Sequence, residues 1–207
     1  MNVTDILEYN GLSVDLLNSF SYKSNLELSL KRSLRHFDKE KLLSELFGYA
    51  DWLDSLDIVA QVSLDFRIKA YESIENKYNR YYPNGQTAKV FNDILGFRAF
   101  CDNYNDLLDD SNKILRIADM SNGKANDDGY RGIHAYYQLD NSYYPIEIQF
   151  NTLFDRQINN WLHDYLYKKP YPLEYGKILR QKYEQGQITN ESEFAEVLFN
   201  DLLGGKK

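Results

Sequence analysis

DGYRGIHAYYQLDNSYYPIEIQFN, residues 128–151, decides how the rest of the chain is read. β-Branched and aromatic residues alternate with polar ones on both sides of Asp140-Asn141-Ser142, a turn-forming cluster, which predicts two β-strands joined by a tight connection. Successive strand side chains point to opposite sides, so Tyr130, Gly132, His134 and Tyr136 share one face of the first strand. Glu147 and Gln149 share one face of the second. If the two faces coincide, one surface carries an aromatic ring, a glycine gap, an imidazole, a carboxylate and a carboxamide, which suits a ligand better than a core. Taken alone, the pattern also fits an edge hairpin with a polar solvent side.

Working outward, Ile58, Ala60, Val62, Leu64 and Phe66 alternate and predict a strand over Asp57–Phe66 that leads into Arg67-Ile68-Lys69. A helix is expected from about Tyr71 and must stop before Pro83-Asn84-Gly85. Ser73 and Lys77, four apart, lie on one face of that helix, with Arg67 and Lys69 just before its start. Cations beside the free amides of a helix N-terminus suit a phosphate, although any one of these charges alone could be a surface ion-pair partner. Asp93 to Phe100 reads as a turn entering a second strand. Helix is expected over Asn103–Lys113, strand over Ile114–Ala118, loop over Met120–Asp128, and helix over Thr152–Tyr167 until Pro170 and Pro172 break it. Two further helices, separated by Gly186-Gln187, should fill Leu173–Leu203. Upstream, Leu26, Leu30, Leu34, Phe37, Leu42, Leu46 and Phe47 predict an amphipathic helix or helix pair between Tyr22 and Tyr49. Its polar side carries Lys31, Arg32, Arg35, His36, Lys39 and Lys41, either a solvated face or a phosphate-contacting patch. The fold class expected is α/β, a mixed sheet with helices on its faces.

The 207 residues suffice for one domain with a sizeable core, and no apolar run reaches the roughly 20 residues of a membrane helix. The N-terminus has no basic-then-apolar signal pattern and Cys101 is the single cysteine, so cytoplasmic residence without an internal disulfide is expected. A net charge of −7 argues against a generic nucleic-acid-coating surface, and any nucleic-acid partner must meet a local basic patch. Eighteen tyrosines point to stacking surfaces or an interface, with half-burial the ordinary alternative for most of them. No Cys/His cluster suggests zinc.

Three segments, in this order and spacing, resemble the synthetase domain of the RelA/SpoT homologue family. Arg67-Ile68-Lys69, Ser73-Ile74 and Lys77 match its R-I-K-x-x-x-S-I-x-x-K signature, and Asp93-Ile94-Leu95-Gly96-Phe97-Arg98 its D-I-x-G-x-R signature. Gly129-Tyr130, His134 and Glu147-Ile148-Gln149 match G-Y-x-x-x-H followed by E-I-Q. The resemblance covers roughly residues 57–167. It implies a nucleotidyltransferase-like synthetase fold, and the chain as a whole reads as one such domain over 1–207, with an N-terminal helical extension (1–50), a catalytic core (51–168) and C-terminal helices (169–207). It also implies that Arg67 and Arg98 sandwich the adenine of ATP and that Lys69, Ser73 and Lys77 hold its phosphates. Asp93 and Glu147 would carry Mg²⁺, Glu147 being also the candidate base. Tyr130 would stack on the acceptor base, Gly132 would leave room, and His134 and Gln149 would line the space between the substrates. The implied reaction is attack of a 3′-hydroxyl on the β-phosphorus of ATP, with release of AMP.

One departure bears on the acceptor. Where alarmone-making members carry basic residues for the 5′-polyphosphate of GDP or GTP, this loop reads ADMSNGKANDD, with Lys124 among Asp119, Asp127 and Asp128. Three to four negative charges are unfavourable there. The expectation is therefore the toxic small alarmone synthetase branch, which pyrophosphorylates the 3′-CCA end of tRNA, with Lys31, Arg32 and Arg35 meeting tRNA phosphates and an antitoxin protein as neutralising partner. A small (p)ppGpp or (p)ppApp synthetase, and an inactive synthetase fold used as a binding module, remain alternatives.

Overall fold

The computed structural model describes residues 2–56, 62–109 and 114–204. They form two compact units. The first comprises Met1–Ala99, Asn105–Ile117 and His134–Phe150, and the second Phe100–Tyr104, Ala118–Ile133 and Asn151–Lys207.

Five strands, β1 (Asp65–Ile68), β2 (Leu95–Phe100), β3 (Leu115–Asp119), β4 (Ile133–Tyr137) and β5 (Ile146–Asn151), make one mixed sheet in the order β1-β2-β5-β4-β3. The expected hairpin is β4 and β5. Because β5 also neighbours β2, the chemistry-bearing strand of the hairpin lies beside the strand carrying Gly96 and Arg98. β1 and β2 run antiparallel, with Asp65 opposite Arg98 and Arg67 opposite Gly96. Alternate residues of β5, Ile146, Ile148 and Phe150, are fully buried. The period-2 rule thus holds, with Glu147 and Gln149 on the other face.

The first unit also contains α1 (Val3–Tyr9), α2 (Val14–Ser19), α3 (Lys39–Asp54), α4 (Tyr71–Tyr81), α5 (Thr87–Val90) and α6 (Asn105–Leu108). An Asn2–Asp5 capping box starts α1, and the Asp38 carboxylate caps α3 by accepting from the Lys41 amide at 2.9 Å. The expected helix or helix pair over Tyr22–Tyr49 is corrected. Helix begins only at Lys39, and Tyr22–Asp38 is irregular apart from a 3₁₀ turn at Leu34–His36. Its backbone bonds elsewhere: the amides of Ser24 and Leu30 donate to the carbonyls of Ser142 and Asn141, and that of Leu34 to Gly85. Leu30 and Leu34 are fully buried, so their spacing reflects anchoring of a loop and not a helical stripe. Tyr22, Tyr49 and Tyr144 stack beside Trp52, with centroids of Tyr22 and Tyr49 4.6 Å apart, which gives several of the tyrosines a packing role.

Other boundaries moved as well. Residues 57–61 of the expected Asp57–Phe66 strand lie outside the described residues, and the strand found is Asp65–Ile68. The helix expected over Asn103–Lys113 is a single turn at Asn105–Leu108, residues 110–113 lying outside the described residues.

In the second unit, α7 (Leu153–Leu162) passes into a π-helical turn at His163–Tyr167, followed by α8 (Glu174–Glu184), α9 (Glu191–Glu196) and a second π-helical segment, Val197–Leu202. Ile158, Trp161, Leu162, Leu166, Leu179 and Phe194 form its core. Among the described residues no helix is long and apolar enough to cross a membrane.

Candidate nucleotide site

In the first unit, Arg67, Lys69, Asp93, Gly96, Phe97, Arg98, Glu147 and Gln149 line one pocket. Its position follows from the strand order: β1 supplies Arg67, β2 supplies Gly96 and Arg98, and β5 supplies Glu147 and Gln149.

Asp93 gathers two lysines. Lys69 Nζ lies 2.7 Å from one carboxylate oxygen and Lys77 Nζ 3.0 Å from the other. Lys69, at the end of β1, is buried, and its amide donates to the Ile94 carbonyl at 2.9 Å. Lys77 comes from α4 and donates also to the Val90 carbonyl at 3.1 Å. Ser73 is half-buried one turn earlier on the same helix and does not line the pocket.

Glu147 is held on both oxygens. His134 Nδ1 lies 3.0 Å from Oε1, the Tyr136 hydroxyl donates to Oε1 at 3.3 Å, and Gln149 Nε2 donates to Oε2 at 2.8 Å. Burial pushes the Glu147 carboxyl up, but the hydrogen bond and charge of His134, aided by Gln149 and Tyr136, outweigh it and leave the group below the usual carboxylate range. Burial, then the Glu147 charge, pushes the Tyr136 phenol up, which keeps it a donor. The Arg116 guanidinium covers the Tyr136 ring 4.2 Å from its centroid.

The register of β1 and β2 puts Asp65, Arg67, Gly96 and Arg98 on one face. Arg98 Nη1 pairs with Asp65 at 2.9 Å. Arg67 and Arg98 are diagonal neighbours, and such pairs stand about 7–8 Å apart.

His134, Gln149, Glu147, Asp93, Lys69, Lys77, Arg67 and Arg98 thus belong to one unit and converge through contacts or a shared pocket. Tyr130 and Gly132 belong to the other unit and precede β4, which starts at Ile133, so the expected strand face begins at His134. The Tyr130 amide donates to Asp128 Oδ1 at 3.2 Å, and Lys124 Nζ lies 5.0 Å over its ring while pairing with Asp128 at 2.7 Å. Arg131 Nη1 and Nη2 bond the two Asp127 oxygens at 2.8 and 3.1 Å, and that guanidinium holds the Asp127 carboxyl below its usual range. Lys31, Arg32 and Arg35 are exposed, on an irregular segment and a 3₁₀ turn instead of the expected helix. The carbonyls of Lys31 and Arg32 accept from Gln86 Nε2 at 3.0 Å and Thr87 Oγ1 at 2.9 Å, which pins that segment.

Alternation places Tyr136 on the face of His134, but its hydroxyl bond to Glu147 is not in that pattern. No role follows from the sequence for Arg116 or Asp65. Asp65 and Arg116 depend on strand register and order, which no local pattern announces.

Among the described residues no cluster of three or more His, Cys, Asp or Glu side chains could hold a metal ion. Asp93 and Glu147 nonetheless bring two carboxylates to one pocket, the number Mg²⁺ takes when phosphate oxygens and water complete its shell. The donor set fits that ion.

Arg67 and Arg98 on one sheet face, the buried Lys69 with Lys77 on Asp93, and Glu147 in the same pocket make a site whose charges suit a nucleotide phosphate. The model of the region found in RelA / SpoT proteins matches residues 66–171, half of the chain. The chain belongs to the RelA/SpoT family and is a pyrophosphokinase with that family's synthetase fold. Enzymes of the family take pyrophosphate from ATP and typically use Mg²⁺. No curated protein matches the chain. Among solved structures, the small alarmone synthetase 2 from Bacillus subtilis is 25% identical over 73% of this chain and 93% of its own, with a TM-score of 0.43. The small alarmone synthetase 1 from the same organism, bound to its product pppGpp, is 21% identical over 81% and 92%, with a TM-score of 0.44. A GTP pyrophosphokinase family protein from Streptococcus pneumoniae is 20% identical over 76% and 91%, with a TM-score of 0.43.

Proposed function

We propose that this enzyme transfers pyrophosphate from ATP to the 3′-hydroxyl of the tRNA CCA end, a toxin-type activity that blocks aminoacylation and hence translation. The observation that carries this reading is the state of the loop before β4. Its two cations pair with carboxylates, Lys124 with Asp128 and Arg131 with Asp127, and Asp119 leaves the loop net negative. A free 5′-polyphosphate would meet carboxylates there, whereas the terminal nucleoside of an RNA brings no such group. Its backbone phosphates have exposed Lys31, Arg32 and Arg35 to meet. Such an enzyme needs a neutralising antitoxin partner in the cytoplasm of its host.

The residues divide the work as follows. Arg67 and Arg98, on one face of β1 and β2, would stack their planar guanidiniums on either side of adenine, the role the family resemblance implies. Lys69 and Lys77 exchange Asp93 for the phosphates, Ser73 adding a hydroxyl. Asp93 and Glu147 would hold Mg²⁺, which neutralises charge developing on the transferred group. Glu147, ionised at neutral pH and oriented from both oxygens, accepts the proton of the attacking 3′-hydroxyl. The new bond forms from that oxygen to the β-phosphorus, and the bond from the β-phosphorus to the bridging oxygen breaks. AMP leaves with the bridging oxygen. Tyr130 stacks on the acceptor base.

Incubating the enzyme with γ-³²P-labelled ATP, bulk tRNA and GDP decides the acceptor: label in the tRNA 3′ end is expected, and label in GDP with none in tRNA would establish a small alarmone synthetase instead. Tyr130→Ala should weaken use of the labelled acceptor by about 1–3 kcal/mol, the worth of one base–aromatic stack. An unchanged acceptor KM in that variant would remove Tyr130 from the acceptor site.

A further inference from the structure

In the second unit a fully buried arginine sits under the loop that carries Tyr130. Arg180, on α8, is 0% exposed. Its Nε donates to the Gly129 carbonyl at 2.8 Å, Nη1 to Asp155 Oδ1 at 2.5 Å and Nη2 to Asn159 Oδ1 at 3.0 Å. Burying a guanidinium is costly unless its donors are satisfied and its charge is balanced, and here one planar fork achieves both. Asp155 is fixed in turn: its Oδ2 accepts from the Tyr104 hydroxyl at 2.7 Å and from Thr152 Oγ1 at 2.9 Å.

The other partners of this network converge on the same short loop. Asn159 Nδ2 and Asn151 Nδ2 donate to the Arg131 carbonyl at 2.7 and 2.8 Å. The Tyr167 hydroxyl donates to the Asp128 carbonyl at 2.9 Å, and Arg131 Nη1 to the Tyr130 carbonyl at 2.9 Å. Every carbonyl from Asp128 to Arg131 is therefore bonded. Gly129 has a φ of +87°, and a Cβ there would overlap the backbone of Gly176 at the start of α8. The loop's path is set by backbone contact with α8 as well as by hydrogen bonds.

We propose that Arg180 is a positioning residue for acceptor use: through Gly129, and through Asn159 to Arg131, it fixes the two residues flanking Tyr130 and so the direction in which that ring is presented. This rests on Tyr130 being the acceptor-stacking residue. A buried arginine that served only stability would be replaceable by a well-packed apolar side chain. Here its bonds go to the loop and to the two side chains beneath it, and α8 lies beyond residues 66–171, which carry the family pattern.

The test uses the full chain. Arg180→Lys keeps the charge but cannot span Gly129, Asp155 and Asn159 together, and Tyr167→Phe removes one hydroxyl from the same loop with little risk to folding. Arg180→Lys should raise the KM for the labelled acceptor, bulk tRNA or GDP, about tenfold or more, with the KM for ATP nearly unchanged. Tyr167→Phe should shift it the same way by a smaller factor. Hydrogen exchange should quicken at the amides of residues 129–132. Equal losses for ATP and acceptor, or a lower melting temperature with the acceptor KM and loop exchange unchanged in both variants, would overturn the proposal. A Tyr130→Ala control keeps the two ideas apart. If that variant uses acceptor normally, the assignment of Tyr130 fails, whereas loop exchange in Arg180→Lys still reports on positioning.

Discussion

Asp93→Asn and Glu147→Gln should each lower pyrophosphate transfer by about 10³-fold or more, the scale of losing a carboxylate that would hold the metal or, for Glu147, also accept the proton. Neither change alters side-chain volume much, so both proteins should fold. Their stabilities should differ. Glu147→Gln exchanges one acceptor set for a carboxamide that can still receive Gln149 or Tyr136. Asp93→Asn leaves Lys69, which is buried, and Lys77 facing each other without the carboxylate that lies 2.7 and 3.0 Å from them. Unpaired buried charge is the costlier defect, so Asp93→Asn should melt lower. Label transfer from γ-³²P-ATP together with melting curves separates the two effects. Turnover close to wild type in either folded variant would end the assignment of these carboxylates to the phosphate-transfer centre.

The second large effect concerns the acceptor. Replacing Lys31, Arg32 and Arg35 together by Glu reverses three exposed charges on a pinned segment without touching the pocket of Arg67, Lys69, Asp93 and Arg98. If these side chains meet tRNA phosphates, tRNA labelling should fall by about 10²-fold or more at low salt. The dependence of log affinity on log salt should flatten by roughly two units, since each phosphate no longer neutralised by a cation removes about 0.7–0.9 from the slope. The KM for ATP should not move. Labelling at two salt concentrations for both proteins provides the readout, and equal activities with equal slopes would remove the tRNA reading.

The parts of the molecule legible in the sequence are those set over short distances. Alternation over Ile146–Asn151 put Glu147 and Gln149 on one face, and the helical spacing of Ser73 and Lys77 described α4 correctly. The N-terminal segment was misread for a physical reason: Leu30 and Leu34 recur at helical intervals, yet their amides bond to Asn141 and Gly85, and no periodicity reveals a partner so distant in sequence. Arg180 was invisible for the same cause. Its acceptors at Gly129 and Asn159 are 51 and 21 residues away, and on α8 it looks like an ordinary surface cation. The Asp65–Arg98 pair became visible only with the register of β1 against β2.

Gly129 and Gly176 face each other through main chain on both sides: a Cβ on the first would strike the Gly176 carbonyl, and one on the second would strike the Asp128 carbonyl. Main-chain atoms cannot be trimmed by mutation. In suppressor genetics this pair should therefore behave unlike two packed side chains, where enlarging one is relieved by shrinking the other. No change at the partner position can rescue an alanine at either site. Intragenic suppressors would have to lie elsewhere on α8 or in the loop, where they could slide one backbone past the other, and a library randomised at both positions should return glycine at each, independently.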